Sequence, residues 1–282
     1  MRQDGEWNYV FRDRYPERDS VYRLFDDKSA EVRRQHEFLA DIRYGEDPRE
    51  TFDFFPGDRD GPLLVFVHGG YWQSLSKDRF SFVAAAFLKK GFSVALPNYP
   101  LAPMTSVRGI VESVKRSVPA IFEIAAGAGR KPPCWVAAGH SAGGHIAAML
   151  AVADWRHQAS LPAFAGCVPI SGIFDLEPLI DTSLNTALRL DPPQALALSP
   201  VKIPTCRGRL AAFVGDAETE GFLTQSAAYA DHWRACGGEA LLIRLSKRNH
   251  YTILADLVED RSEIAEEVAA LTDDFLGQGE GW

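Results

Sequence analysis

Cysteine is scarce in this chain. Four are present, at positions 134, 167, 206 and 236, with neither the density of a disulfide framework nor any C-x-x-C pair, so they read as reduced core or loop thiols. Basic residues are outnumbered: Lys and Arg total 30 against 38 Asp and Glu, for a net charge of −8. The nearest approach to a basic cluster is Lys247-Arg248, too little to neutralise a phosphate backbone, so no nucleic-acid partner is expected. No apolar run is long enough to span a bilayer, and Met1 to Trp7 lacks the apolar stretch of a secretion signal. A cytoplasmic protein without a membrane partner is the expectation. The seven histidines form no H-x-H or H-x-x-x-H pair, so neither a metal nor another cofactor is expected. Internal repeats and low-complexity tracts are also missing.

What remains is the composition of one large α/β domain over residues 1–282. Residues 1–50 are charge-rich, with a helical pattern around 28–42, and read as an extension packed on the rest. From Thr51 onward, apolar strands near 52–55, 63–67, 93–96, 134–139, 165–170, 209–214 and 240–245 alternate with helices near 77–90, 106–126, 143–153, 222–236 and 261–276. That alternation predicts a mostly parallel sheet with helices on both faces. The proline-rich stretch 172–208 interrupts it, placed to act as a lid or substrate wall.

The chemistry concentrates at three places. Gly139-His140-Ser141-Ala142-Gly143 is a G-x-S-x-G pentapeptide between the apolar run Cys134 to Ala138 and the helix-forming run His145 to Ala151. There a serine is presented as a nucleophile on a sharp strand-to-helix turn. Upstream, the buried-strand pattern Leu63 to Val67 ends in His68-Gly69-Gly70-Tyr71-Trp72. A glycine pair lets backbone N–H groups face a developing oxyanion, so Gly69 or Gly70, with the N–H of Ala142, are the candidate oxyanion donors. A serine nucleophile needs a base. His36, His157 and His232 lie in polar or surface patterns and His140 and His145 flank the serine, which leaves His250, on the loop after the strand pattern Ala240 to Leu245.

The orienting acid has three candidates. After the strand Leu210 to Val214, the sequence Gly215-Asp216-Ala217-Glu218 puts Glu218 at a G-x-x-[DE] spacing; Asp216 is the runner-up, and Asp175 follows the preceding strand. Tyr71, Trp72, Phe174 and Tyr251 offer an aromatic wall for an aryl substrate, or ordinary core.

Beyond the pentapeptide, the blocks His68-Gly69-Gly70-Tyr71-Trp72-Gln73-Ser74, Ser76-Lys77-Asp78, Asn98-Tyr99-Pro100, Ser171-Gly172-Ile173-Phe174-Asp175 and Val214-Gly215, ending at His250, resemble the arylformamidases, or kynurenine formamidases, of the α/β-hydrolase fold. The resemblance covers roughly residues 40–260. It implies Ser141 as nucleophile, His250 as base and Glu218 as acid. It also implies release of formate from N-formylkynurenine, a step of tryptophan catabolism, or hydrolysis of small esters. Where many relatives carry Pro-Glu-Phe after the acid, this chain has Glu220-Gly221-Phe222. The expected partner is a small-molecule aryl formamide or ester, and a homodimer is compatible with the sequence. The competing readings are a carboxylesterase of broader acyl range with the same residues and a catalytically silent binding module on the same fold.

Overall fold

The computed structural model describes residues 5–155, 158, 161–259 and 262–277. Its centre is one eight-stranded sheet: β1 Leu39–Arg43, β2 Thr51–Phe55, β3 Leu63–Val67, β4 Ser93–Pro97, β5 Cys134–His140, β6 Ala163–Ile170, β7 Arg209–Gly215 and β8 Ala240–Leu245. The spatial order is β1-β2-β4-β3-β5-β6-β7-β8. Only β1 and β2 run antiparallel to their neighbours; every pairing from β4 to β8 is parallel. Every residue of β3, β4 and β5 is buried, as apolar runs without alternation require of strands covered on both faces.

The helices are α1 Gly5–Tyr9, α2 Arg18–Gln35, α3 Phe82–Leu88, α4 Val107–Gly127, α5 Ala142–Ala151, α6 Asn185–Leu188, α7 Pro192–Ala197, α8 Glu220–Ala235 and α9 Glu263–Gly277. Local sequence sets their ends. Ser106 caps α4 by accepting from the N–H of Gly109 at 3.2 Å, and Asp191 caps α7 from Gln194 at 2.8 Å with Pro192 as its first residue. Among the described residues no helix is long and apolar enough to cross a membrane.

Two stretches differ from the sequence expectation. The helix around 28–42 is displaced: α2 ends at Gln35, and Leu39–Arg43 is instead an edge strand, largely exposed. Its pairing to β2 overrides a weak helical periodicity. The helix near 77–90 divides into a 3₁₀ turn, Lys77–Phe80, and α3. A buried charge cluster sits at this joint. Asp53 of β2, wholly buried, accepts from Arg33 of α2, from Lys77 Nζ at 2.7 Å and from the N–H of Asp41 at 2.9 Å. It fastens α2 and β1 to the segment behind Gly70. Removing one partner of such a cluster strands a buried charge, a loss of about 3–5 kcal/mol.

The sheet's carboxyl edge positions the site. The inter-strand ladder continues one residue past several strand ends: Ser141 N–H donates to Ile170 O at 2.9 Å, Ser171 N–H to Phe213 O at 2.8 Å, and Asp216 N–H to Leu245 O at 3.0 Å.

Candidate active site

Ser141 lies between β5 and α5 with φ 57° and ψ −119°, a conformation a non-glycine residue holds only at a cost of about 1–3 kcal/mol. The flanking glycines supply room. A Cβ on Gly139 would stand 2.3 Å from Gly143 O, and one on Gly143 would stand 2.0 Å from Val67 O. The pentapeptide thus needs glycine because α5 starts in contact with β3 and β5, while the serine itself carries the strain.

His250 follows β8. Its Nδ1 is 2.8 Å from Glu218 Oε2. The other carboxylate oxygen, Oε1, accepts from the N–H of Gly215 at 2.9 Å and the hydroxyl of Ser171 at 2.5 Å. Glu218 is thereby held by two donors besides the histidine, its side chain buried. Asp216 does not reach His250: it is exposed and accepts from the N–H of Lys247 at 2.6 Å, bracing the turn after β8. Asp175 pairs with Lys202 at 3.0 Å.

The imidazole of His250 is packed between two phenyl rings, with centroids 4.4 Å from Phe222 and 5.0 Å from Phe11. His140, next to the serine, has its Nε2 2.8 Å from the backbone O of His250 and so fixes the loop that carries it. Burial, then the neighbouring His250, drives the His140 pKa well below the ordinary histidine value. His140 is therefore a neutral hydrogen-bond donor at physiological pH. His145 is set apart, with Nε2 2.7 Å from Leu198 O. His36 follows α2, its backbone N–H donating to Val32 O, and His232 Nε2 is 2.9 Å from Ile203 O; His157 lies outside the described residues.

Facing the serine, Gly70, Tyr71 and Trp72 run in succession at positive φ, 112°, 50° and 57°. A Cβ on Gly69 would stand 3.2 Å from the Ser141 Cβ, so the loop backbone passes in contact with the serine. Among the described residues the N–H groups of Gly69 and Gly70 make no backbone hydrogen bond, and that of Ala142, first in α5, has no partner inside its helix. His68 is a support for this loop: its ring stacks on Tyr99 at 4.2 Å, its Nε2 is 3.0 Å from Asn98 Oδ1, and Tyr99 donates its hydroxyl to His68 O at 2.9 Å. Burial lowers the His68 pKa to about 4. That contact explains why the His-Gly-Gly and Asn-Tyr-Pro blocks occur together.

Ser141, His140, His250, Gly70, Tyr71 and Tyr251 line a cavity of ≈ 560 Å³, a size suited to a small molecule. Ser141 Oγ and the His250 ring face it without closing a hydrogen bond; such contacts commonly tighten only around bound substrate. Of the four aromatic residues expected in its wall, Tyr71 and Tyr251 are there. Trp72 and Phe174 are corrections: both are buried away from the cavity, Trp72 edge-on to His145 at 5.0 Å and Phe174 stacked on Tyr229 at 4.2 Å. Trp72 follows Tyr71 in a left-handed turn, and its ring lies edge-on to that of Tyr71 at 6.5 Å, behind it and wholly buried. The opposite wall comes from a segment that held no candidate in the sequence reading, Tyr9 to Tyr22, with Ser183 and Leu184 from the 172–208 stretch beside it. Among the described residues no three His, Cys, Asp or Glu side chains stand together as metal ligands.

A mostly parallel sheet with a strained serine at the end of β5 and an acid-bonded histidine after its last strand defines a hydrolase of the α/β-hydrolase fold. A family model described as BD-FAE matches residues 55–183. Kynurenine formamidase of Danio rerio is 31% identical over 231 residues, 79% of this chain and 78% of that one. The chain belongs to the kynurenine formamidase family. Among solved structures, a candidate thioesterase from Silicibacter sp. superposes with TM-score 0.79 at 28% identity, covering 94% of this chain and 97% of that one. Esterase B from Lactobacillus rhamnosis has TM-score 0.72 at 15% identity, covering 94% and 98%, a likeness of fold alone.

Proposed function

We propose that this chain hydrolyses a formamide or small-acyl amide or ester, with N-formylkynurenine, cleaved to kynurenine and formate, as its substrate. The observation that carries the reading is the pair Glu218 Oε2 to His250 Nδ1 at 2.8 Å, set on the same cavity as the strained Ser141. In this mechanism Ser141 Oγ attacks the formyl carbon while His250 Nε2 takes its proton, and Glu218 fixes the tautomer and supports the imidazolium. The tetrahedral oxyanion is received by the N–H groups of Gly69 or Gly70 and of Ala142. Collapse breaks the carbon–nitrogen bond, His250 returning the proton to the departing aryl amine. Water, deprotonated by His250, then attacks the formyl-enzyme, releasing formate and regenerating Ser141.

Tyr71 and Tyr251 supply the aromatic surface for the aryl ring. The whole chain is read as one hydrolase domain, residues 1–50 closing one side of the site and 172–208 contributing its rim. The four cysteines, all free, two of them buried in β5 and β6, support a cytoplasmic setting.

The test is hydrolysis of N-formylkynurenine beside p-nitrophenyl esters of increasing chain length, with an active-site phosphonate as inhibitor. The expected result is a kcat/KM for the formamide above that for a butyryl or longer ester, with both activities lost as the phosphonate labels Ser141. An enzyme that prefers octanoyl esters and leaves the formamide intact is the carboxylesterase alternative.

A further inference from the structure

The wall opposite Ser141 carries charges that the hydrolytic steps do not use. Three arginines lie in the segment Arg12 to Arg18, and two are engaged by the fold. Arg14 donates to Trp7 O at 2.8 Å and lies 3.6 Å from the centre of the Trp7 ring. Arg18 donates from Nε to Asp19 Oδ1 at 2.9 Å. Arg12 lines the cavity, is exposed, and makes no hydrogen bond or ion pair among the described residues. Tyr22 and Tyr251, the aromatic part of the same cavity, line it with Arg12.

A guanidinium presents a planar fork of donors that matches a carboxylate, and it lies readily against aromatic surface. In a chain of net charge −8, the long-range field repels an anionic substrate, so a local cation is what an anion would need at the mouth. Asp13 follows Arg12 in the same wall, so an α-amino acid head group meets both signs there.

We propose that Arg12 is a specificity-determining residue that receives a carboxylate on the amine or alcohol side of the substrate, so that the site selects carboxylate-bearing aryl formamides and aryl esters over uncharged ones. This rests on the reading of Ser141 as the nucleophile of the same cavity, and for the formamides on the activity proposed above.

The experiment compares wild type with Arg12→Gln, Arg12→Lys and Arg18→Gln on two matched pairs. The formamides are N-formylkynurenine and uncharged formanilide; the esters are 4-acetoxybenzoate and uncharged phenyl acetate. Arg12→Gln should raise KM for the two carboxylates roughly tenfold, the size of one charge-assisted contact at a half-open site, with kcat changed less than about twofold. KM for the uncharged partners should move less than about twofold, and Arg12→Lys should recover part of the loss. Arg12→Gln acting equally on both members of each pair, or on neither, overturns the proposal, as does a change of preference caused by Arg18→Gln and not by Arg12→Gln. If wild type cleaves the acetates but neither formamide, the formamidase reading fails while the acetate pair still decides the role of Arg12. Failure on all four substrates overturns both. Because Arg12 holds no hydrogen-bond or ion-pair partner among the described residues, the melting temperature of Arg12→Gln should match wild type, which separates lost recognition from lost structure.

Discussion

On the sheet side of the cavity, Ser141, Glu218 and His250 are 3%, 8% and 4% exposed, and each is set by the end of a different strand. On the opposite side, Arg12, Asp13 and Asp19 are exposed and sit on a 3₁₀ turn and the first turn of α2. The second wall is tied down at a few buried points. Tyr71 donates its hydroxyl to Tyr9 O at 2.6 Å, Thr219 to Asn8 O at 2.8 Å, and Phe11 packs on His250. Between those anchors its polar side chains face the cavity and solvent. Groups that break bonds must be held to about half an ångström and therefore sit where packing leaves one rotamer. Groups that discriminate among substrates can sit on a segment that opens locally.

Substitutions on the two walls should separate along that line, the sheet side affecting kcat and the other side KM. The largest effect belongs to Ser141→Ala: turnover should fall at least about 10³-fold with the fold intact, as measured by steady-state kinetics beside circular dichroism. Retention of most activity by the pure variant would remove the serine mechanism altogether. Next is the acid. Glu218→Gln should cost on the order of 10²–10⁴ in turnover because His250 loses both its orientation and the partner for its positive charge. Asp216→Asn, two residues away but bonded only to the turn after β8, should cost less than about threefold; the reverse ranking would mean that Asp216 is the acid.

Ser171→Ala sharpens the comparison. Among the described residues its hydroxyl hydrogen-bonds only the carboxylate of Glu218, and a hydrogen bond to a charged group contributes about 1.5–3 kcal/mol, so kcat should fall on the order of tenfold with KM nearly unchanged. A rise in KM without a fall in kcat would place Ser171 in binding rather than in fixing the acid.

The smallest effect is on stability. His68 and His145 have pKa values lowered by burial to about 4, and His140 is lowered by burial and by His250. In the unfolded chain these groups take up protons near the ordinary value of about 6.5. Their contribution is therefore fully present above pH ~6.5 and lost as pH falls through the folded values, about 4 for His68 and His145 and likewise lowered for His140. Denaturant midpoints should drop steadily through that window. His145→Gln, whose amide can still donate to Leu198 O, should flatten the slope by roughly one of the three protons. An unchanged slope would mean that other groups drive the acid transition.

Much of the sheet side is legible in the sequence, for physical reasons. β3, β4 and β5 are doubly covered and so are written as unbroken apolar runs. The elbow needs glycine on both sides because its backbone passes within contact of β3, and Glu218 is marked by its distance from the glycine that ends β7. The opposite side is not legible, since Arg12 and Asp13 look like any solvated charge until the chain folds them over Ser141. β1 escapes for the same reason: an exposed edge strand such as Leu39–Arg43 has no apolar face to announce it. Trp72 and Phe174 mislead in the other direction. Adjacency to Tyr71 and to the Ser171-Gly172 turn suggests the wall, but packing on His145 and stacking on Tyr229 hold them in the core. Ser171 is readable only as a polar residue closing a strand, and its bond to Glu218 exists in three dimensions alone.

The ladder that runs past the strand ends, Ser141 onto Ile170 and Ser171 onto Phe213, with Asp216 onto Leu245, has a consequence for how the enzyme comes into being. Residues 141, 171, 218 and 250 are scattered over more than a hundred positions of chain, and they meet only because four neighbouring strands have zipped in register. Closing such distant contacts is the slow and entropically costly part of folding. Without β8 and the loop after it, Ser141 and Glu218 have no His250 between them. The complete set of reacting groups thus depends on the last strand, β8, and on the N-terminal segment as well, since Phe11 beside Arg12 is one of the two rings that pack His250.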